Sequence, residues 1–379
     1  MNVCYFGTYE QNYPRNKVVI EALRKAGVGV VECHLPLWEL FRHKTGKFLT
    51  PKSLFLLVVK FLLGYLKLIR FYLRRARDIQ IVMVGYIGQL DLLMAKLLVR
   101  LGKKRSLIFN PLVSLYDTLV DDRGLFTPGS LVAEFLFALD RWSFRLADMI
   151  VLDTDAHIDY ISKKFAIDRS KFAQLFVGAD EDVFAPEPGK QETPPFVVLF
   201  VGKFIPLHGI PHIIAAAKLL EKEKDIHFEI VGSGQLAGQI MELYRQLKVK
   251  NISFTEWIPY ERLAAKMARA HVCLGIFGEG GKARRVIPNK VFQGLAMGMP
   301  VITGDSPASR ELLTHGQSAV LVPMADAEAI ARAIRSLKED RELREKISLG
   351  GREVFQRRCS TEALGTRLKA LCQGTMSRP

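Results

Sequence analysis

A lysine at the start of a predicted helix is the residue of this chain with the clearest chemistry. The segment at 289–305 reads NKVFQGLAMGMPVITGD, in which Lys290 stands at the head of a helix that ends at Gly298. Free N–H groups at a helix start, together with a cation, form a cradle for an anion such as a phosphate. Gln293 lies one turn later on the same helix face, within reach of a sugar hydroxyl.

Two further segments repeat the order of apolar strand, glycine turn and helix. They read FVGKFIPLHG at 200–209 and FEIVGSGQLAG at 228–238. Lys203 and His208 of the first segment would point into a cleft near a helix start, where charge and amides together favour a diphosphate. The alternatives are a solvated turn residue for Lys203 and a helix cap for His208. Three such turns in one domain indicate a nucleotide site.

The second of these segments contains part of a dinucleotide-binding fingerprint. Gly232, Gly234 and Gly238 follow a strand, but this unit is not the first of the chain. No acidic residue ends a following strand about twenty positions on, as a dehydrogenase would require. Glycines also end many buried strands simply to allow tight turns. We therefore expect a turn near a base or a ribose.

The elements that must position these residues alternate along the chain. Apolar runs and helical patterns follow each other in both halves, which is typical of a parallel, doubly wound α/β sheet. The polar, proline-rich run APEPGKQETPP at 185–195 predicts a linker. We expect two Rossmann-like domains, 1–184 and 196–355, facing a cleft at the carboxyl ends of their strands. The C-terminal helix, 356–379, can pack back on the first domain.

Composition bounds the class of protein. The chain has 379 residues, of which 49% are hydrophobic, and a formal net charge of +15. Residues 40–77 contain ten lysines and arginines and no acid, which predicts an anionic partner, either nucleic acid or an acidic lipid surface. The five cysteines form no C-x-x-C pair, so we expect a reducing compartment and no zinc site. The chain enters a strand at once, without a leader pattern, which predicts a cytoplasmic protein.

The helix predicted at 53–77 combines apolar and basic residues. Its sixteen apolar residues between positions 54 and 73 could span a bilayer in length, but the lysines and arginine among them roughly cancel the gain of insertion. The helix also occupies a crossover position between two strands. We expect it to lie in the plane of an anionic membrane, with Lys60, Lys67, Arg70 and Arg74 facing the lipid headgroups. The alternative is a core helix with a solvated stripe.

Two acidic segments of the first half each allow more than one interpretation. Asp153, Thr154 and Asp155 form a D-x-D pattern, but they end a strand and open a helix, so we expect a helix N-cap and no metal. The loop at 114–123 follows the carboxyl end of a strand and carries Ser114 and Asp117. It could orient an acceptor hydroxyl or a donor sugar, with Asp117 favoured; equally it could be a hydrated loop.

Taken together, the motifs resemble one family. The order of Gly202–Lys203, the HG turn at His208, IVGSG, TEWIP at 255–259 and PNKVFQGLAMGMPVITGD resembles the donor half of a GT-B glycosyltransferase of the large retaining family 4. The resemblance continues through Glu311 and LVP at 321–323. In the first half, YFGTYEQNYPRN at 5–16 and VGADEDVF at 177–184 resemble the first-strand loop and the interdomain segment of that family.

The resemblance implies a nucleotide-sugar donor bound by the second domain, an acceptor met by the first, and no further cofactor or metal. Lys203 and Lys290 would contact the diphosphate, and a donor phosphate oxygen would help to take the acceptor proton. Gln293 would face the ribose, and the 232–234 turn with 257–259 would frame the base. The implied site comprises catalytic Lys203, Lys290 and Asp117; donor-binding Gly7, His208, Gly232, Gly234, Trp257, Pro259, Glu279, Asn289 and Gln293; and Arg15 and Ser114 at the acceptor cleft.

Two positions depart from the family pattern. The family commonly has two glutamates separated by seven residues, and these positions are Arg285 and Gln293 here. Glu279 is the nearest upstream carboxylate and is too far away for the standard pair. His208 stands where many members have a lysine, and we expect it to gain charge below about pH 6.5. Both changes bear on donor affinity.

These inferences predict a cytoplasmic glycosyltransferase at the inner face of the membrane that transfers a sugar, with retention, to a lipid-linked or glycan acceptor. Cell-surface polysaccharide or glycolipid synthesis is the expected setting. The motifs do not distinguish which sugar, base, acceptor or linkage is used, or the oligomeric state. A nucleotide-sugar epimerase or hydrolase of the same fold is the alternative. A nucleic-acid-binding protein is disfavoured, because the basic stretch is interleaved with aliphatic rather than stacking aromatic residues.

Overall fold

Short strands, most of them largely buried, alternate with helices through both halves of the chain. The computed structural model describes residues 1–36, 51–75, 78–101, 105–186 and 194–377, with the side chains of 51–62 not described. Most of the predicted linker at 185–195, much of the basic stretch before position 51 and the side chain of Lys60 lie outside the described residues.

The first sheet contains six parallel strands in the order β2-β1-β3-β4-β5-β6. Because helices cover both faces, its strands read as continuous apolar runs, as in Ile81–Val84, where every residue is buried. β6 is not predicted from the sequence, because its three residues are too short for a pattern to show. The strands are β1 (Asn2–Gly7), β2 (Gly29–His34), β3 (Ile81–Val84), β4 (Ser106–Phe109), β5 (Met149–Leu152) and β6 (Phe172–Gln174).

The second sheet also contains six parallel strands, in the order β12-β11-β10-β7-β8-β9. Its order reverses beside β7, so the turn after β7 lies at a topological switch point, where open α/β sheets bind ligands. The strands are β7 (Phe196–Val201), β8 (Ile226–Val231), β9 (Ile252–Thr255), β10 (Val272–Leu274), β11 (Val301–Gly304) and β12 (Val320–Val322). The two sheets confirm the predicted GT-B fold.

The helices connect these strands and cover the sheets. Those of the first half are α1 (Pro14–Lys25), α2 (Pro51–Arg75), α3 (Gln89–Val99), α4 (Leu131–Leu146) and α5 (Asp155–Phe165). The others are α6 (Ile210–Leu219), α7 (Ala237–Leu247), α8 (Tyr260–Ala268), α9 (Asn289–Ala296), α10 (Pro307–Arg310), α11 (Ala327–Glu339), α12 (Arg341–Arg358) and α13 (Thr361–Met376). The predicted loop at 114–123 contains a π-helical turn over Asp117–Asp122.

The basic helix α2 is half embedded in the first domain. Leu68 and Tyr72 are buried in the cluster that also contains Leu92 and Leu98 of α3. Lys67, Arg70 and Arg74 are exposed on the opposite side. Within the described residues, no helix is long and apolar enough to cross a membrane.

The C-terminal segment belongs to both domains in turn. α12 packs on α9 of the second domain, and the chain then crosses back so that α13 packs along α1 of the first. Lys25 Nζ donates to Thr361 Oγ1 at 2.7 Å, and Thr361 N donates to Glu181 at 2.6 Å. The close approach of the two helices is possible because Gly365 faces the Ala22 carbonyl, where a Cβ would overlap the oxygen.

Two glycines of α13 therefore predict opposite effects of one substitution. Gly374 has no neighbouring atom within 4 Å of a built Cβ. We expect Gly374→Ala to raise the free energy of unfolding by up to about 1 kcal/mol, the helix-propensity difference. Gly365→Ala should lower it by about 1–3 kcal/mol, because the methyl group displaces α1. Urea unfolding of both variants provides the test, and equal effects would show that α13 does not pack this closely.

Candidate active site between the two domains

A cavity of about 410 Å³ lies between the domains, at the carboxyl end of β7. Its walls come from both halves of the chain, as the predicted cleft requires. First-domain residues on the wall include Tyr13, Tyr86, Val113, Thr118, Asp122, Arg123 and Asp153; second-domain residues include Gly202, Lys203, His208, Tyr260, Lys282, Asn289, Lys290 and Gln293.

The ammonium group of Lys290 is the main electrostatic feature of this cavity. Lys290 is the second residue of α9 and is 5% exposed. Among the described residues its Nζ has no hydrogen-bond partner, and it lies 4.1 Å from the centre of the Phe200 ring. Burial lowers the pKa of Lys290 to about 7. A buried cation without a carboxylate, beside a helix N-terminus, is arranged to receive an anion.

The glycine turn after β7 leaves room for this lysine. Gly202 has φ +157°, and a Cβ there would lie 2.8 Å from Lys290 Nζ. Gly232 supports the same turn from behind, because a Cβ at that position would overlap the Gly202 carbonyl. Gly234 lies against the backbone of Phe204 in the same way. The glycine turn after β8 thus packs under the Lys203 loop and is not part of the cavity wall.

His208 stays neutral in this setting. Its ring is buried, and Nδ1 bonds the Lys203 carbonyl. Since a carbonyl oxygen only accepts, Nδ1 carries the proton and Nε2 is the acceptor in the neutral ring. Burial, together with the charge of Lys290, lowers the pKa of His208 well below its ordinary value. The expectation that His208 gains charge below about pH 6.5 is therefore wrong for the unliganded protein.

The other predicted donor residues divide into two groups. Asn289 and Gln293 lie on the cavity wall, which also includes Tyr260. Trp257 is 74% exposed and Pro259 is the N-cap of α8. Glu279 is exposed and lies 3.4 Å from His212. These last three residues are not on the cavity wall in the structure.

Asp117 has a different role from the predicted one. Its carboxylate lies 2.6 Å from Arg285 Nη2 and 3.3 Å from Lys282 Nζ, both in the second domain. Burial by itself would raise the pKa of Asp117, but Lys282, His157 and Arg285 together lower it. A buried carboxylate held by two cations cannot turn toward a ligand, so Asp117 ties the domains together. Asp122, at the other end of the π-helical turn, is the residue of this loop whose carboxylate is on the wall.

The remaining first-domain candidates support the cavity without lining it. Arg15 is fully buried and donates to Asn110 and to the carbonyls of Leu175 and Phe176, so its assignment to the acceptor cleft is wrong. Ser114 is buried and donates to Asp140 at 2.6 Å, which corrects its assignment too.

Gly7 packs against another residue of its own domain. A Cβ at this position would overlap the Asp91 carboxylate, which accepts the backbone N–H of the next residue, Thr8. Gly7 therefore packs on α3 and is not on the cavity wall.

A second carboxylate crosses between the domains at α5. Glu311 accepts the backbone N–H groups of Asp155 and Ala156, at 2.7 and 2.8 Å. Thr154 caps the same helix by accepting from His157 N, which confirms the N-cap predicted for the D-x-D pattern. A carboxylate at a helix N-terminus is stabilised by the free N–H groups and the helix dipole. The free amides of α5 are thus satisfied from the second domain.

Several cavity residues are not identified by sequence reasoning. Lys282, Tyr260, Asp122 and Arg123 face the cavity, but charge runs and loop residues give no sign of which member turns inward. In the sequence, only the departure from the family pattern at Arg285 indicates such a contact, the ion pair with Asp117. A cation where the family has a glutamate requires a compensating carboxylate, which Asp117 supplies.

The second domain matches a family model. Residues 195–340 match the family described as glycosyl transferases group 1. Among curated proteins, the chain is 28% identical over 170 residues to the lipopolysaccharide core biosynthesis glycosyltransferase LpsD of Rhizobium meliloti, a match that covers 45% of this chain and 47% of that protein. It is 27% identical over 230 residues to a GDP-mannose-dependent alpha-(1-6)-phosphatidylinositol monomannoside mannosyltransferase of Mycolicibacterium smegmatis, covering 54% and 60%. The chain thus spans about half of the length of the curated relatives it matches.

Solved structures match over nearly the whole chain. Sucrose-phosphate synthase from Thermosynechococcus elongatus superposes with a TM-score of 0.71 at 16% identity, covering 98% of both chains. HepE of Anabaena, in complex with UDP-glucose, superposes with a TM-score of 0.68 at 13% identity, covering 99% and 100%. These similarities show that the arrangement of the two domains is that of a GT-B fold.

The buried ammonium predicts how stability depends on pH. Unfolded lysine has a pKa of about 10.4, whereas Lys290 in the folded protein has about 7. Between these values the unfolded state binds the extra proton, so stability rises with pH in that window and is lowest below pH 7. Lys290→Met removes the buried ammonium, so its free energy of unfolding should exceed that of the wild type near pH 7. We expect this difference to shrink by about 1.4 kcal/mol per pH unit from pH 7.5 to 9. Urea unfolding at several pH values measures this.

The control for this experiment is Lys203→Met, at a side chain that is exposed. Its stability relative to the wild type should change little over the same pH range. A Lys290→Met variant whose stability gap is constant with pH would show that Lys290 keeps an ordinary pKa and is not buried as described.

Proposed function

We propose that the protein transfers a sugar from a nucleoside diphosphate to an acceptor hydroxyl, with retention at the anomeric carbon, because residues 195–340 match the family described as glycosyl transferases group 1. The names of relatives that act in lipopolysaccharide core and phosphatidylinositol mannoside synthesis support polysaccharide or glycolipid assembly as the setting. HepE of Anabaena, whose structure contains UDP-glucose, supports a nucleotide sugar as the donor.

The buried ammonium of Lys290, without a partner among the described residues, carries the proposal. A diphosphate beside Nζ would restore the charged form of Lys290, since a nearby anion raises the pKa of an ammonium. The N-terminus of α9 and Lys203, which follows Gly202 and also lies on the cavity wall, would share the charge. Gln293, one turn further along α9 and on the same wall, is suited to a ribose hydroxyl.

The proposed reaction places charge where these groups are. The bond from the anomeric carbon to the diphosphate oxygen breaks, and a bond to the acceptor oxygen forms on the same face. The acceptor proton goes to the departing phosphate oxygen, so the balance requires no side-chain base. Negative charge grows on the diphosphate in the transition state, and a fixed cation there lowers the barrier. The proposal assigns this stabilisation to Lys290, Lys203 and α9 rather than to a metal ion.

Thermal shifts with nucleoside diphosphates test the donor site. UDP, GDP, ADP and CDP at millimolar concentration are compared, and one is expected to raise the melting temperature by several degrees. A ligand at a hundredfold its dissociation constant adds about 2.7 kcal/mol of stability. The shift should be lost in Lys290→Met and kept in Lys218→Met, at a half-exposed lysine of α6 outside the cavity.

Turnover provides the second readout. With the sugar form of the diphosphate that binds, Lys290→Met should transfer sugar more slowly by at least about a hundredfold, the scale of losing one electrostatic group. Near-normal turnover in Lys290→Met would refute the assignment. Isomerised or hydrolysed donor in the absence of any acceptor would instead indicate an epimerase or a hydrolase.

We further propose that α2 rests on an anionic membrane surface at the cytoplasmic side. Lys67, Arg70 and Arg74 are exposed, and Leu63 and Leu66 are exposed beside them. Exposed leucines next to cations suit the boundary between acyl chains and acidic headgroups. On α4 of the same domain, Phe135 and Trp142 are likewise 61% and 59% exposed.

Flotation with liposomes that contain phosphatidylglycerol tests this surface. Replacing Lys67, Arg70 and Arg74 by glutamate should abolish binding, since each cation near the surface contributes about 1 kcal/mol. The matched control changes three exposed arginines of α11 and α12, Arg332, Arg341 and Arg357, to glutamate. Equal losses in both variants would show that net charge alone, and not α2, directs the protein to the lipid.

A further inference from the structure

A second cavity of about 360 Å³ lies in the first domain, next to the interdomain cavity. The two share wall residues, among them Tyr86, Val113, Thr118 and Arg123. A group bound in the second cavity would therefore be next to a ligand that reaches Lys290. Neither Lys290 nor any other residue of the second domain belongs to its wall.

Six of the twelve residues on the wall of this cavity are aliphatic and its accessible surface is mainly apolar, although Thr8, Thr118 and Arg123 also line it. Its apolar side chains are Ile87, Leu90, Val113, Leu115, Leu119 and Leu139. The carboxylate of Asp91, also on the wall, already accepts from Thr8 N and from the Tyr65 hydroxyl, at 2.8 and 2.9 Å. A wall of this composition does not suit a sugar nucleotide, whose groups are polar or charged. It suits hydrocarbon.

Two wall residues have a buried polar atom without a hydrogen-bond partner among the described residues, Gln89 Oε1 and Arg123 Nε. Gln89 is 1% exposed, and its Nε2 donates to the Val113 carbonyl and to Asp140. Because Gln89 Oε1 has almost no accessible surface, it lies behind the wall and leaves the apolar character of the cavity surface unchanged.

We infer that this cavity binds the apolar part of the acceptor, a hydrocarbon group attached to a hydroxylated head that remains in the neighbouring interdomain cavity. That the ligand is an acceptor depends on the proposed transferase function, whereas the apolar site is argued from its wall residues alone. A volume of 360 Å³ is at the low end for ligand sites, so the cavity takes a portion of the molecule.

The cavity opens to the outside at the start of α3. Leu90 lies on its wall and is also 43% exposed. A chain too long for the cavity can therefore leave past Leu90, along the same helix layer as α2 and α4. An acyl or polyprenyl chain and a compact aromatic aglycone share the required chemistry, and the experiment distinguishes them by length and shape.

Binding of a glucoside series to the full-length protein tests this inference. Methyl, butyl, octyl and phenyl β-D-glucoside are titrated below micelle-forming concentrations and followed by calorimetry. We expect affinity to rise about fourfold for each methylene that enters the cavity. Octyl binding tighter than phenyl binding identifies a chain, and the reverse identifies an aromatic group. Equal affinity of methyl, butyl, octyl and phenyl glucosides would overturn the inference.

Two leucines on the cavity wall provide the test variants, and a leucine of α3 outside the wall provides the control. Leu90→Ser and Leu119→Ser should each remove most of the dependence on chain length, whereas Leu97→Ser should keep it. Leu97 lies on α3 like Leu90, is 59% exposed and is not on the cavity wall. If Leu97→Ser loses the dependence of affinity on chain length while Leu90→Ser and Leu119→Ser keep it, the hydrocarbon binds on the outer surface and the inference is overturned.

The diphosphate shift keeps the two proposals separate. Chain-dependent binding without any diphosphate shift would refute the transferase proposal and leave an apolar ligand site standing. A diphosphate shift without chain-dependent binding would refute this inference alone. Retained diphosphate shifts in Leu90→Ser and Leu119→Ser show that these variants are folded, so a lost chain effect is then assigned to the cavity.

Discussion

The uncompensated charge of Lys290 is the constraint around which the second domain is arranged. A lysine whose ammonium is buried without a carboxylate raises the free energy of the folded state, and the surroundings contribute only weak compensation from the Phe200 ring. Three neighbouring features keep this position suited to an anion: a glycine where a side chain would meet Nζ, a histidine held neutral by burial and by the charge of Lys290, and a helix start whose free N–H groups favour negative charge. The folded protein thus gives up stability at a position where the proposed diphosphate would restore it.

The closed arrangement of the domains depends on a second set of charges. Asp117 holds Lys282 and Arg285, and Glu311 completes the N-terminus of α5 from the opposite side. Both contacts bring a carboxylate of one domain to positive groups of the other, and the carboxylate of Asp117 is nearly inaccessible to water. Screening by salt is weak for such buried pairs, so the interface is set by geometry more than by ionic strength. Of the two positions that depart from the glutamate pattern, Arg285 has a structural reason, because it faces Asp117.

The fold and the place of Lys290 at the start of a helix could be predicted because local sequence patterns determine them. Apolar runs, glycine turns and the position of Lys290 at a helix head each lie within about twenty consecutive residues. The assignments of Arg15, Ser114 and Asp117 failed for the opposite reason. The partners that bury these side chains are distant in sequence, from 26 positions for Ser114 and Asp140 to 168 positions for Asp117 and Arg285. A loop that the sequence predicts at a cleft can therefore turn its polar groups into the protein. The aliphatic cavity beside α3 is equally invisible in sequence, because its wall combines four separate segments.

The return of the C-terminal segment has a mechanical consequence. The main chain passes from the first domain to the second between 186 and 194, and passes back between α12 and α13 at Cys359–Ser360. Two covalent crossings therefore join the domains, so neither domain can turn away from the other about a single linker. Arg358, directly before the second crossing, donates to the Glu311 carbonyl at 2.6 Å. The interdomain contact that Glu311 makes with α5 is thus anchored beside the point where the chain returns to the first domain.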